Sequence, residues 1–241
     1  MTEFGTSPNR VALWTAFLRE RQVRSMAEVG VYRGKFAAHL LANLPELSRY
    51  VMIDPWRNIP EWNKPLNKDD ATFERVYQDC LAATDFAADR RQVLRGRTTE
   101  VVSQIPDGSL DFAYIDGDHT LRGITIDLVA MYPKVREGGW IAGDDFCRSI
   151  WQHNASFEPT LVFPLAVHFA EALGLTIHAL PHEQFLIHKQ PGTFRFVDTV
   201  GGYEDACLKS QFIDACGPGP RDGGPRDGGP RDVSHGETAS V

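Results

Sequence analysis

No CxxC pair occurs in this chain. Its four cysteines, Cys80, Cys147, Cys207 and Cys216, share no such spacing, which argues against both a thiolate zinc site and a disulfide framework. A continuous apolar run of the ~18 to 20 residues needed to cross a bilayer is missing as well. The opening "MTEFGTSPNR" offers no apolar stretch for an export signal, so a cytoplasmic protein with no membrane partner is expected. Basic blocks are also absent. With 25 basic against 32 acidic residues and a net charge of −7, no stripe of cations could follow a phosphate backbone, and nucleic acid is not an expected partner.

What remains is an ordinary globular composition, 42% apolar over 241 residues, enough for one sizeable core. The end of the chain is an exception. Gly217 to Val241 repeat PRDGG with almost no apolar side chains, so nothing offsets the entropy of ordering them, and a disordered tail is expected there. The folded domain is accordingly assigned to residues 1–216.

Within that domain helical and strand patterns alternate. "PNRVALWTAFLRERQ" sets Val11, Leu13, Trp14, Phe17 and Leu18 on one helical face. Strand-like runs then follow in "SMAEVGVY", "RYVMIDPW", "RQVLRG", "LDFAYID" and "GGWIAGDD", with helical segments such as "KFAAHLLANL", "DDATFERVYQDCLAA", "TTEVVSQI" and "TLRGITIDLVAMYPKV" between them. Apolar strands without in-and-out alternation imply a parallel sheet covered on both faces. A further helix in "TLVFPLAVHFAEALG" leads to "LTIHAL" and "QFLIHKQ", two strands about four residues apart, which is too close for a parallel crossover and predicts an antiparallel hairpin. The predicted fold is an α/β, doubly wound, Rossmann-like sheet of seven mostly parallel strands ending in that hairpin, with helices on both faces.

In such a sheet ligands bind beyond the carboxyl ends of the strands. Glu28, Asp54, Asp116 and Asp144 each fall at a strand end, which crowds four acids along one edge. The first loop, "EVGVYRG", has Gly30 and Gly34 but places Tyr32 where a dinucleotide fingerprint needs a second close-approach glycine. A pyrophosphate is therefore disfavoured. Acids at 28 and 54 suit instead a ligand carrying hydroxyls and an ammonium.

Four stretches, "EVGVYRGKFA", "VMIDPW", "LDFAYIDGDHTLRG" and "GGWIAGDDF", appear in the order and spacing of the class I S-adenosylmethionine-dependent methyltransferases. Over about residues 11 to 189 the sequence resembles the bacterial small-molecule branch related to macrocin O-methyltransferase and, more distantly, catechol O-methyltransferase. The resemblance implies that Glu28, Gly30, Tyr32 and Gly34 shape the pocket for the methionine moiety of S-adenosylmethionine. It places Asp54 on the ribose hydroxyls, Gly96, Arg97 and Thr98 near the adenine, and Asp116 beside the cofactor.

Asp116, Asp144 and Asp145 end the fourth and fifth strands, which the resemblance makes neighbours, and neither DGDH nor GDD holds a Lys or Arg to oppose them. Packed carboxylates repel, and a hard divalent cation, Mg²⁺ first, would remove that penalty. The catechol-type enzymes carry Asp, Asp and Asn at these places. They also carry a lysine three residues after the first aspartate, where this chain has His119, which marks His119 as the expected base and Asp118 as its understudy or its orienting partner. Asp118 has a second reading as the cap of the following helix. Trp56 and Trp62 in "DPWRNIPEWNKPLN", with Trp151 and His153 after the fifth strand, are candidates to wall the acceptor pocket, while His168, His178 and His188 read as structural. The expected partner is a small hydroxylated acceptor, a sugar, polyketide or phenolic. The sequence leaves the oligomeric state open, a homo-oligomer included. Two rivals are a metal-dependent hydrolase built on DGDH and GDD, and a non-catalytic S-adenosylmethionine-binding scaffold.

Overall fold

A computed structural model of the chain describes residues 7–154 and 156–203. The PRDGG tail, Cys207 and Cys216 lie outside the described residues.

The first helix, α1 (Arg10–Glu20), starts where Asn9 accepts a hydrogen bond from the Ala12 amide through its side chain at 2.9 Å. That cap satisfies one of the orphan N–H groups of the first turn. The face predicted from spacing is the buried one, with Leu13, Trp14, Phe17 and Leu18 inside and Val11 packed at its margin. Trp14 wedges against Phe17, Phe112 and Tyr114. Its indole donates to Gln184 at 2.7 Å, so the helix is pinned to a strand far along the chain.

The sheet follows as β1 (Ser25–Val29), β2 (Arg49–Asp54), β3 (Arg91–Arg95), β4 (Leu110–Ile115), β5 (Val135–Gly143), β6 (Thr176–Leu180), β7 (Gln184–His188) and β8 (Arg195–Asp198). The helices between them are α2 (Lys35–Asn43), α3 (Asp70–Ala83), α4 (Thr98–Val101), α5 (Leu121–Met131) and α6 (Val162–Ala172). Spatial order is β3-β2-β1-β4-β5-β7-β6-β8, and among these strands β7 alone runs antiparallel to its neighbours. The predicted hairpin is β6 and β7.

Two details differ from expectation. An eighth strand, β8, adds in parallel to β6; at four residues and only half-buried, it carries too little apolar pattern to announce itself. The "TTEVVSQI" segment is not one helix but the single turn α4 followed by a 3₁₀ turn at Val102–Gln104.

Alternate strand residues feed two cores. Met26, Tyr50, Met52, Phe112 and Tyr114 face α1, α2 and α3, whereas Ala27, Val29, Val51, Ile53, Ala113 and Ile115 face α4, α5 and α6. Each large side chain fully buried in this way is worth about 1.5–3 kcal/mol. The chain order reverses between β1 and β4, the switch point beyond which an open α/β sheet binds its ligands.

Candidate active site

A cleft of about 890 Å³ opens at that switch point, lined on one side by Glu28, Gly30, Tyr32, Asp54, Gly96, Arg97 and Thr98 and on the other by Asp116, Asp118, His119, Asp144 and Asp145. Its size lies near the upper end of small-molecule sites and leaves room for a cofactor with an acceptor beside it. The expected residues converge on one cavity, with Gly34 just behind its wall, against Cys80 of α3.

On the first side the β1 turn is built on backbone. Gly30 adopts φ +88°, and a Cβ there would stand 2.0 Å from the Asp116 carbonyl oxygen, so β1 and β4 touch through this glycine. Tyr32 and Trp56 are non-glycine residues at φ +50° and +40°, conformations that cost energy unless something holds them. Asp54 holds both. Its Oδ2 accepts from the Tyr32 amide and its Oδ1 from the Trp56 amide, each at 2.8 Å. One lone pair per oxygen remains for a ligand. Burial raises the Asp54 pKa, and the N–H donors only partly offset it. Glu28 is buried at the end of β1, where desolvation pushes its pKa up to about 8 against the stabilising Tyr50 hydroxyl, which donates to it at 2.7 Å. Thr98 starts α4 and donates to Asp127 of α5 at 2.6 Å. Asp127 is a buried carboxyl that the sequence reading missed; burial pushes it up to about 7.

On the second side the arrangement departs from expectation in three ways. First, Arg10 opposes the acids. Its Nη1 lies 2.9 Å from Asp116 Oδ2 and also pairs with Asp144 Oδ2. DGDH and GDD themselves hold no Lys or Arg, but α1 delivers a cation to Asp116 and Asp144.

Second, His119 is oriented by Asp145 and not by Asp118. Its Nδ1 lies 2.8 Å from Asp145 Oδ2, and its Nε2 is 3.6 Å from Asp116 Oδ1. Burial alone would lower this imidazole, but the carboxylates of Asp116 and Asp145 beside it outweigh that and push the pKa up to about 9. Among the described residues Nε2 is buried without a hydrogen-bond partner.

Third, Asp118 serves the loops. It accepts from the Thr120 amide at 3.0 Å and from the Trp62 indole at 2.9 Å. The cap of α5 is Thr120, whose hydroxyl accepts from Gly123 N at 3.1 Å.

The aromatic candidates divide. Trp62 lines the cleft and His153 faces it. Trp56 is wholly buried, donates to the Tyr32 carbonyl at 2.8 Å and packs on Tyr77, so it braces the cofactor-side turns. Trp151 is not among the lining residues. Lys64 ties the Trp62 loop to the segment after β5 by donating to the Glu158 carbonyl at 2.8 Å. His188 stacks on Trp140 at 3.9 Å, His178 lies within β6, and His168 is on the surface of α6 beside Glu171.

Whether Asp116, Asp144 and Asp145 suit a divalent cation depends on what already fills their oxygens. Asp144 gives Oδ2 to Arg10 and receives the Gln184 amide at Oδ1. Asp145 gives Oδ2 to His119 and receives the Gln152 amide at Oδ1. Asp116 gives Oδ2 to Arg10. Mg²⁺ demands free oxygens in near-octahedral array, and this set does not fit it. The ligand atoms that do approach within 4.8 Å of one another belong to Asp116, His119 and Asp145, a mixed nitrogen and oxygen set in which a proton already competes for the imidazole.

Comparison with known proteins bears on the class. A family model described as a methyltransferase domain matches residues 27–146, from β1 to just past β5. No curated protein sequence matches the chain. Among solved structures, an O-methyltransferase from Bacillus cereus in complex with SAH superposes with TM-score 0.54 at 16% identity, covering 76% of this chain and 81% of that one. The O-methyltransferase TomG from Streptomyces achromogenes, in complex with SAM and involved in tomaymycin synthesis, gives 0.52 at 17%, covering 76% and 80%. A putative caffeoyl-CoA O-methyltransferase from Staphylococcus aureus gives 0.55 at 14%, covering 74% and 82%. At such identities the likeness is one of fold. Sheet order, switch-point cleft and family match together define a methyltransferase. The match over residues 27–146 gives this chain a methyltransferase domain, and its fold is that of S-adenosylmethionine-dependent O-methyltransferases.

Proposed function

We propose that this enzyme transfers its methyl group to a hydroxyl of a small molecule, within a catalytic domain spanning residues 1–216. The observation that carries the reading is the buried, unpartnered Nε2 of His119, set in the same cleft as the Asp54 carboxylate. An acceptor hydroxyl placed against Nε2 would be poised for loss of its proton.

The cofactor cradle fits S-adenosylmethionine. Asp54 keeps a lone pair on each oxygen for the ribose hydroxyls, Glu28 is a carboxyl that an ammonium would ionise, and Gly96 to Thr98 border the adenine side. When bound, S-adenosylmethionine supplies a methyl on a sulfonium that leaves as a neutral thioether, so the protein has to position the acceptor and remove a proton. His119 takes that proton once its own has been lost to solvent. Asp145 fixes the imidazole through Nδ1, and Asp118 holds Trp62 over the cleft. The divalent cation expected from the sequence has no part in this scheme, because its carboxylates are already paired. Neighbours in complex with SAM or SAH, and O-methyltransferases among them, support the reading; the hydrolase alternative leaves Asp54 and the β1 turn without a task.

The test is calorimetry with S-adenosylmethionine, followed by S-adenosylhomocysteine release on a panel of sugars, polyketides and phenolics. No binding would sink the proposal, as would turnover confined to amine or carbon acceptors. Asp54→Ala should weaken cofactor binding by about 10- to 100-fold, the loss of one or two charge-assisted hydrogen bonds. Because it also strands the Tyr32 and Trp56 amides, the variant should lower the midpoint of urea unfolding too. Unchanged affinity would remove Asp54 from the site.

A further inference from the structure

Arg10 is the residue that the proposed reaction leaves unused, although it occupies the centre of the acidic edge. One nitrogen, Nη1, spans Asp116 just past β4 and Asp144 just past β5, two of the three carboxylates expected from the sequence to hold a divalent cation. The seat is built from several elements. Asn9 caps the helix that starts with Arg10, and the guanidinium lies 5.8 Å from the centre of the Phe36 ring. Gln184, fully buried, accepts from Trp14 and from Tyr114 at 2.7 Å each and turns its amide onto Asp144. The same residue thus anchors α1 and fixes the carboxylate that α1 presents its arginine to.

Two further features point to a ligand. Among the described residues Arg10 bonds through Nη1 alone, and its Nε and Nη2 make no hydrogen bond. The side chain is 35% exposed and lines the cleft. Three N–H donors of a planar cation therefore remain free at the cavity wall, on the far side of Asp116 from His119.

We propose that Arg10 is the resident cation of this site, taking the place of a divalent metal by neutralising Asp116 and Asp144 and orienting the oxygen acceptor with its free N–H groups. A guanidinium cannot be removed by chelators and cannot be deprotonated at any working pH. Methyl transfer is then metal-independent, and acceptors whose oxygen carries or develops negative charge are favoured. The inference rests on the hydroxyl-transfer reading, but its first test does not need turnover.

Mn²⁺ alone serves as probe, followed by electron paramagnetic resonance on the full-length chain. The quantity read is the Mn²⁺ whose binding Asp144→Asn abolishes. In the wild type this should be zero, and any such ion overturns the proposal. Arg10→Ala frees both carboxylates and should acquire a Mn²⁺ site that wild type lacks; failure to acquire one, in a variant that still binds S-adenosylmethionine, also overturns it. Arg10→Lys, which retains the charge, covers the case in which Arg10→Ala does not fold, and should bind no Mn²⁺. Once an acceptor is found, EDTA should leave wild-type turnover unchanged. Arg10→Ala should lose about a hundredfold, the scale of removing one donor to a developing oxyanion. Absence of any acceptor would count against the hydroxyl-transfer reading and leave the Mn²⁺ result to decide this one.

Discussion

Gly30→Ala should remove cofactor binding and cost about 3–5 kcal/mol of stability, the sum of a strained backbone and an overpacked contact. At φ +88° a side chain is strained whatever the space around it, and the space is not there. The added Cβ would meet the Asp116 carbonyl oxygen at 2.0 Å, the carbon of the same group at 2.4 Å and the Gly117 Cα at 2.7 Å. All three are backbone atoms, so no change of rotamer relieves the clash. Relief would require β1 and β4 to separate at the switch point, carrying Asp116 away from Arg10 and His119. Gly108→Ala is the control. Gly108 shares the positive φ, at +65°, but a Cβ there meets nothing within 4 Å, so it reports conformational strain alone, about 1 kcal/mol. Urea unfolding of both variants, with S-adenosylmethionine calorimetry, separates strain from contact. Equal stability of the two would refute the claim that Gly30 is where the two strands touch.

The same backbone contact shows why part of this site was legible in the sequence. Strand ends announce themselves through apolar runs that stop on turn residues, so the sequence alone places Glu28, Asp54, Asp116 and Asp144 along one edge. The β1 turn was legible because Gly30 and Gly34 mark left-handed positions, at φ +88° and +69°. What failed was anything set by partners distant in sequence. Arg10 lies 106 residues from Asp116 and looked like the first turn of an amphipathic helix; the Asn9 cap was the one local cue that a side chain would be held there. Trp56 and Trp62 are alike in composition and neighbourhood, yet the positive φ of Trp56 turns its ring inward while Trp62 reaches Asp118. Strand β8 was lost for a different reason, since four half-buried residues carry no periodicity to read. The basicity of His119 is not legible in the sequence because it depends on Asp145, which belongs to another strand end and turns inward at φ +56°.

That dependence makes the rate of the enzyme a measure of the Asp145 to His119 contact. With its pKa pushed up to about 9, His119 is an imidazolium at neutral pH and, as the base we propose, has to shed a proton before it takes one from the acceptor. The value of kcat/KM should therefore climb about tenfold per pH unit through the neutral range and level off near the His119 pKa. Asp145→Asn removes a negative charge from beside the ring, disfavours the imidazolium, and should shift the rising limb toward neutral pH. His119→Gln should abolish the limb and lower kcat by about 10²- to 10⁴-fold, the contribution of a positioned general base. Stability should follow the same proton. A group whose folded pKa is raised stabilises the native state fully below its unfolded value, about 6.5 for histidine, and loses that contribution as pH rises toward the folded value near 9. The urea midpoint of the wild type should fall across that window, and that of His119→Gln should fall less. A wild-type rate indifferent to pH from about 6 to 9, or a limb unmoved by Asp145→Asn, would mean that the proton leaves by another route and that His119 only orders the loop after β4.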